Sequence, residues 1–373
     1  MALSRPQNRL TSALRKVLRC LVASAILCFG AVVCTEAQDS HTNNTQDSWT
    51  VTTQYSGNNM TPCRTTETHT TSGNRRIDTL HNEVLGLSGD YQPYSDTETE
   101  AIDVNPTTKR TVVRTYTWDG NGRRNLAEVT EEEARSSAGG DIHVVRTTST
   151  VDESGNMQVV RREVTGTTNP TPQTQQVQTT TYVGDGNGGF TPYLQIRELQ
   201  KRISDHTIEI TKTTLHPDPD GKWAVGEVRQ GTIEEGSTMT VGDERVSRSD
   251  VNGRLSEVSR TVAKQTVDAS GEQRDTVETY SLSDTDPHLS RRVTTIQQNK
   301  PSEKTSTELI EESDPGDPDS PLRAIAKTTD IFHSDPTGME QTRVSQVRDV
   351  NGTFKIVVVQ TRKSDQATPP QDH

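Results

Sequence analysis

The sequence predicts an all-β protein, an antiparallel meander of about ten β-hairpins that each occupy about 33 residues, a period typical of repeat architectures. Three observations predict this fold. An aspartate followed three residues later by a glycine recurs at a nearly fixed period, and a second series of turn residues lies midway between these motifs. The segments between the turns are rich in Thr, Val and Arg and show no helical period.

The Asp-x-x-Gly series sets the period. Its five regular copies begin at Asp119, Asp152, Asp185, Asp218 and Asp250, and their glycines follow one another at a nearly constant interval. The same register continues backwards to Gly89 and Gly57, and forwards to Asp284, Asp317 and Asp349. The repeat therefore covers about ten units, which we place at 48–363.

The second series of turn residues divides each unit into two segments. It comprises Gly73, Pro106, Gly139, Gly140, Pro170, Asp205, Gly236, Gly271, Pro301 and Gly338. Two segments and two turns per unit describe a repeated β-hairpin. Allowing about 4 residues for each turn leaves strands of about 12 residues, or about 40 Å.

The segments themselves have the composition of strands. Residues 143–151 and 157–164 flank one turn and are β-branched with interleaved charges. Asn-Gly pairs such as Asn121-Gly122 supply the positive φ that tight hairpin turns require. Residues 126–135 and 194–203 favour helix locally, but they occupy strand positions of the repeat, and we predict strands there.

The segment 1–37 predicts an export signal. Arg5, Arg9, Arg15, Lys16 and Arg19 precede an apolar stretch over 20–34, and Thr35 and Ala37 are small residues of the kind found before a cleavage site. The alternative is an uncleaved anchor, although a span needs about 20 apolar residues. We predict a flexible segment at 38–47, the hairpin array at 48–363 and a disordered tail at 364–373.

Charge and cysteine content exclude several classes of protein. Removal of 1–37 takes five positive charges and one negative charge from a net charge of −12, which leaves −16. A chain this acidic is not expected to bind nucleic acid, and membrane contact is expected only through an uncleaved signal. Cys63 is the one cysteine outside the signal, so no disulfide framework is expected.

The sparse apolar content favours an open architecture. Hydrophobic residues make up 28% of the chain and aromatic residues 4%, too few for a thick core. We predict an open, curved antiparallel sheet or solenoid-like array, in which each hairpin contacts its neighbours. The alternatives are a large closed barrel and a five-bladed propeller.

Two turns resemble a known family of repeats. Tyr116-Thr117-Trp118-Asp119 with Gly122-Arg123, and Asp250 followed by Gly253-Arg254-Leu255, partly resemble the YD or Rhs-type repeats of exported bacterial proteins. The hairpins of that family build long curling β-sheet shells. The resemblance implies a hairpin-repeat sheet or shell and implies no particular activity.

Candidate sites are few. Two turns place oxygen-bearing side chains at alternate positions, as calcium loops do, although a hairpin turn uses the same residues; these weak metal candidates are Asp185, Asn187, Asp218 and Asp220. The histidines lie in different units without metal spacing, so we predict no catalytic site and no cofactor. Tyr116 and Trp118 lie one pleat apart on one strand face, where they could pack or stack on a sugar.

These patterns lead to a first functional hypothesis and an alternative. The first is an exported, non-enzymatic repeat protein that acts as a structural or interaction scaffold at the cell surface or outside the cell. Its expected partners are a surface glycan or a protein, with edge-to-edge self-association through unpaired terminal strands. The alternative is a closed β-barrel or propeller that binds a glycan or a small ligand.

Overall fold

A computed structural model describes residues 45–55, 61–282, 287–300, 303–314, 316–317, 320–335 and 338–365. The expected signal, the segment 38–44 and the tail from 366 onward lie outside the described residues. The first strand begins at Thr45 and the last ends at Asp365.

The described residues form twenty long strands. In chain order they are β1 (Thr45–Tyr55), β2 (Cys63–Ser72), β3 (Arg75–Leu85), β4 (Tyr91–Asn105), β5 (Thr108–Trp118), β6 (Arg124–Ser136), β7 (Ile142–Val151), β8 (Met157–Thr171), β9 (Thr174–Gly184), β10 (Phe190–Arg202), β11 (Thr207–Pro217), β12 (Trp223–Glu235), β13 (Met239–Ser249), β14 (Leu255–Val267), β15 (Gln273–Leu282), β16 (Pro287–Asn299), β17 (Glu303–Glu312), β18 (Arg323–Asp335), β19 (Gly338–Arg348) and β20 (Phe354–Asp365). Of the two segments with helical character, 126–135 lies in strand β6 and 194–203 lies in strand β10 up to Arg202.

Each strand pairs antiparallel with its neighbours in sequence, and β1 also pairs with β20 over residues 48–55. The predicted antiparallel meander of hairpins is therefore confirmed. The prediction of an open sheet is wrong, because the meander closes into a barrel of twenty strands. Closure gives the outer N–H and C=O groups of both terminal strands a partner, so the edge expected to drive self-association does not exist.

The Asp-x-x-Gly motifs of the regular series form turns at one end of the barrel, and a further copy, Asp268 to Gly271, forms a turn at the other end. In the turn at Asp119, the backbone N–H of Gly122 donates to the Asp119 carbonyl at 3.0 Å, with Gly122 at φ 75°. The Asp119 carboxylate accepts the backbone N–H groups of Asn121 and Arg123, both at 2.9 Å. The same carboxylate arrangement recurs at Asp152, Asp185, Asp218, Asp250 and Asp349.

A β-bulge follows nearly every one of these turns. In nine hairpins the strand after the turn carries one extra residue that has no partner opposite; these residues are Tyr94, Ala127, Val160, Tyr193, Gly226, Val258, Ser290, Ile325 and Val357. They recur at about the period of the repeat, so the bulges lie at one height around the wall. Bulges bend a strand and increase its twist, which helps a sheet to curve into a barrel.

The barrel wall has two faces, which carry different residues but are similarly exposed to solvent. We name face 1 the side that carries Asp96, Tyr116 and Trp118, and face 2 the side that carries Thr111 and Arg146; residues paired across strands share a face. Among the residues that the structure describes, few apolar side chains pack together, and they form one cluster of Ile208, Ile233 and Ala263 on face 2. Twenty strands about 4.8 Å apart and tilted by about 40° give a barrel about 40 Å across.

Ion pairs cross between strands at mid-height on both faces. Arg260 bonds Asp243 on face 1 at 2.5 Å, and Arg343 bonds Asp330 on face 2 at 2.7 Å. Strands β13 and β14 on face 1 and strands β18 and β19 on face 2 therefore carry paired charges at mid-height. In the part of the chain that the structure describes, no helix has the length and apolar character to cross a membrane.

Candidate functional site

An aromatic belt lies on face 1 at the end of the barrel that carries the Asp-x-x-Gly turns. Its eight members come from seven strands: Tyr91, Tyr116, Trp118, Tyr182, Phe190, Trp223, Tyr280 and Phe354. The sequence alone could have identified four of these eight aromatic residues. Tyr91, Phe190, Trp223 and Phe354 each stand two residues after a turn glycine of the repeat, a regularity that the sequence analysis missed.

The densest part of the belt lies on strands β2 to β6, and it contains both aromatic residues that the sequence singled out. Register places His81 opposite Asp96 and Asp96 opposite Tyr116, while Trp118 lies one pleat nearer the turn. The edge of the His81 ring meets Trp118, with ring centres 6.3 Å apart. We call this group the aromatic cluster: Arg64, His81, Glu83, Tyr91, Asp96, Glu98, Tyr116, Trp118 and Arg124.

Asp96 is the centre of the polar contacts in this cluster. It is only 8% exposed. Its carboxylate contacts Nδ1 of His81 at 2.6 Å and accepts a hydrogen bond from Nε of Arg124 at 2.6 Å. Arg124 also donates through Nη2 to Glu98 at 2.5 Å, so one guanidinium bridges two carboxylates.

Two guanidinium groups lie over the tyrosine rings. The Arg124 guanidinium carbon is 3.6 Å from the centre of the Tyr116 ring, and that of Arg64 is 4.7 Å from the centre of the Tyr91 ring. Arg64 also donates to Glu83 at 2.6 Å. Each arginine therefore combines a cation–π contact with an ion pair, which fixes the rings beside the carboxylates.

These contacts keep the carboxylates ionised. Burial would raise the pKa of the Asp96 carboxyl, but the hydrogen bonds from His81 and Arg124 and the nearby indole N–H of Trp118 outweigh it, so the pKa lies below its usual value. The hydrogen bond from Arg64 lowers the pKa of the Glu83 carboxyl, against the opposing effect of burial. The cluster therefore carries fixed negative charge at neutral pH.

Trp118 has the one indole N–H among the described residues that is shielded from solvent without a hydrogen bond of normal geometry. An indole can only donate, and a buried donor with a poorly formed hydrogen bond incurs part of the cost of about 1–3 kcal/mol for a donor without an acceptor. The Asp96 carboxylate lies near this N–H but is already bonded to His81 and Arg124. A ligand oxygen would reach this N–H only after the shielding side chains move, and it would then give the N–H a second acceptor beside the Asp96 carboxylate.

The four metal candidates lie in two separate turns. The Asp185 carboxylate accepts the backbone N–H groups of Asn187 and Gly189 at 2.8 and 2.9 Å. The Asp218 carboxylate accepts those of Asp220 and Lys222 at 2.9 and 2.7 Å. No three His, Cys, Asp or Glu side chains of the described ranges converge in a way that could hold a metal ion.

No protein-family model and no curated protein matches the chain. Among solved structures, the chain is similar to the siderophore receptor PirA from Pseudomonas aeruginosa, with a TM-score of 0.49 and 10% identity over 86% of this chain and 80% of the receptor. PirA from Acinetobacter baumannii gives 0.47 and 7% over 87% and 81%. The FrpB iron transporter from Neisseria meningitidis gives 0.42 and 8% over 86% and 74%. Identities this low concern the fold alone.

The expectation of a structural or interaction scaffold is wrong. It was built on an open sheet with free edges, whereas β1 pairs with β20. The closed barrel, which was named as part of the alternative, agrees with this closure.

Proposed function

We propose that the protein is an extracytoplasmic closed β-barrel that binds a sugar at the aromatic cluster. The observation that carries the proposal is the position of Trp118, whose indole N–H lacks a well-formed hydrogen bond, between aromatic rings and ionised carboxylates. The export signal expected at 1–37 supports a place outside the cytoplasm.

The chemistry of the cluster fits a neutral, polyhydroxylated ligand. The C–H faces of a sugar ring pack on aromatic rings such as Tyr91, Tyr116 and Trp118. Sugar hydroxyls donate to carboxylates such as Glu98 and accept from N–H donors. Since each arginine of the cluster is already paired with carboxylates, a neutral ligand adds no unpaired charge to the site.

The test is calorimetric titration of the mature chain with a panel of neutral mono- and oligosaccharides. Trp118→Phe keeps an aromatic ring and removes the N–H. Loss of one hydrogen bond of about 0.5–1.5 kcal/mol should weaken binding about 2- to 13-fold. The matched control is Trp223→Phe, because Trp223 belongs to the same belt but lies on β12, outside the cluster.

Two results would contradict the proposal. One is a native chain that is folded by far-UV circular dichroism and binds no sugar of the panel at millimolar concentration. The other is equal weakening by Trp118→Phe and Trp223→Phe, which would place the effect in the belt as a whole. Trp118→Ala separates packing from binding, since lost folding would indicate a packing role for the side chain.

A further inference from the structure

We infer that a groove on face 2 of strands β5 to β8 binds a small zwitterion, such as an unblocked tripeptide, whose two charges match two open groups of opposite sign on the wall. The groove has a volume of about 460 Å³. It lies on the other side of the wall from the aromatic cluster, so this inference is independent of the sugar site.

The floor of the groove is a row of four alternating charges that we call the charge ladder: Glu132 on β6, Arg146 on β7, and Glu163 and Arg161 on β8. Arg146 donates to Glu132 through Nε at 2.9 Å and through Nη2 at 2.5 Å. Its Nη1 lies 3.5 Å from Glu163. Arg161 closes the series by pairing with Glu163.

The inner members of the charge ladder have their polar atoms engaged. Arg146 contacts a carboxylate on either side. Oε1 of Glu163 accepts from Arg161 and from the Thr181 hydroxyl, and Oε2 faces Arg146. These two residues have little capacity left for a ligand.

The two ends of the charge ladder are different, because each keeps an unused group of opposite sign. Both bonds from Arg146 go to Oε2 of Glu132, which leaves Oε1 without a donor among the described contacts. At the other end, Arg161 uses only Nη2, its side chain is 54% exposed, and Nε and Nη1 point to no described acceptor. The groove therefore has an open anion at β6 and an open cation at β8.

The distance between the two ends of the charge ladder determines the length of ligand that can contact both. Glu132 and Arg161 are two strands apart at about 4.8 Å per strand and offset by two residues at about 3.3 Å per residue, so their backbones are about 12 Å apart. An extended chain spans about 3.3–3.6 Å per residue, so three residues carry an ammonium and a carboxylate about 10 Å apart. The ammonium would meet Glu132 and the carboxylate would meet Arg161. Thr130 and Thr148, which line the groove between them, offer hydroxyls to the peptide groups.

The experiment is calorimetric titration of the mature chain with trialanine, N-acetyl-trialanine and trialanine amide. We expect free trialanine to bind and each blocked peptide to bind at least 10-fold more weakly. Arg161→Gln should weaken the binding of free trialanine at least 10-fold and leave the binding of trialanine amide unchanged. The substitution and the amide each remove the contact between Arg161 and the peptide carboxylate. Glu132→Gln should likewise weaken the binding of free trialanine at least 10-fold and leave the binding of N-acetyl-trialanine unchanged.

The matched controls are Arg162→Gln and Glu131→Gln, which change the neighbouring residues on the opposite face. Both should leave the affinity for trialanine unchanged. The inference is overturned if the folded native chain does not bind trialanine at millimolar concentration, if the blocked peptides bind equally well, or if Arg162→Gln weakens binding as much as Arg161→Gln does.

Discussion

Replacement of Asp96 by asparagine tests whether the aromatic cluster is held together by its central carboxylate. Asparagine has nearly the same shape but is neutral and keeps only one acceptor oxygen. The native carboxylate contacts both His81 and Arg124 at 2.6 Å. Hydrogen bonds to a charged group contribute about 1.5–3 kcal/mol each, so full loss of two in a shielded site would cost about 3–6 kcal/mol.

The expected loss of stability is smaller, because the two donor side chains are partly exposed to solvent. The His81 and Arg124 side chains are 38% and 33% exposed, so water replaces part of what is lost, and the asparagine oxygen keeps one bond. We expect Asp96→Asn to lower the free energy of unfolding by about 2 kcal/mol, measured at pH 7 by urea titration and far-UV circular dichroism. The control is Asp103→Asn on the same strand, an ion pair with 48% of its carboxylate side chain exposed, where we expect less than about 0.5 kcal/mol.

The pH dependence gives the same experiment a second readout. The folded pKa of Asp96 is lowered, so its contribution is present above the unfolded pKa and is lost as pH falls through the folded value. The difference between native chain and variant should therefore be full at pH 7 and shrink below about pH 4. Equal stabilities of Asp96→Asn and Asp103→Asn at pH 7 would refute the role assigned to Asp96.

Three further predictions concern the barrel itself. In a background without other cysteines, Thr52→Cys with Thr361→Cys should form an intramolecular disulfide, detected by mass spectrometry, since the two residues are partners in the closing strand pair; only intermolecular products would contradict closure. Gly122→Ala should lower the free energy of unfolding by about 1 kcal/mol because φ is +75°, whereas Gly120→Ala, which lacks a positive φ and has open space around its Cβ, should be nearly neutral. The pKa of Asp349 is lowered, first by Lys355 and then by backbone N–H groups, so this turn should exchange its amide hydrogens faster as pH falls below about 4 once the intrinsic pH dependence is subtracted, and Asp349→Asn should remove that change.

Much of the local structure could be predicted from the sequence, because it depends on residues that are close together in the chain. An aspartate three residues before a glycine is enough to specify a turn such as that at Asp119, where the carboxylate and the glycine each satisfy a local requirement. The helical character of 126–135 was rightly set aside, since the strand position in the repeat decides what a weak local preference cannot. The bulges left no comparable signal, because residues as different as Tyr94, Val160 and Gly226 occupy the same position.

The candidate site was predictable only in part. Tyr116 and Trp118 stood out as two aromatic residues on one strand face, but their partners His81, Asp96 and Arg124 come from three other strands. Which residues stand opposite one another depends on the register of each hairpin, and a shift of one residue would move every side chain to the other face. The charge ladder was missed for the same reason, since its members are ordinary solvated charges until register brings them together.

The sequence by itself determined that the chain is a series of antiparallel hairpins, where most of its turns lie and that its strands are long. The tertiary structure decided that the series closes, that the aromatic residues form a belt at one height on one face, and that the opposing wall surface carries a groove with two open charges. The physical reason is that turns and strands depend on contacts within a few residues. Closure instead depends on the twist and curvature summed over twenty strands, so that residues such as Thr52 and Thr361 meet only when the whole sheet has formed.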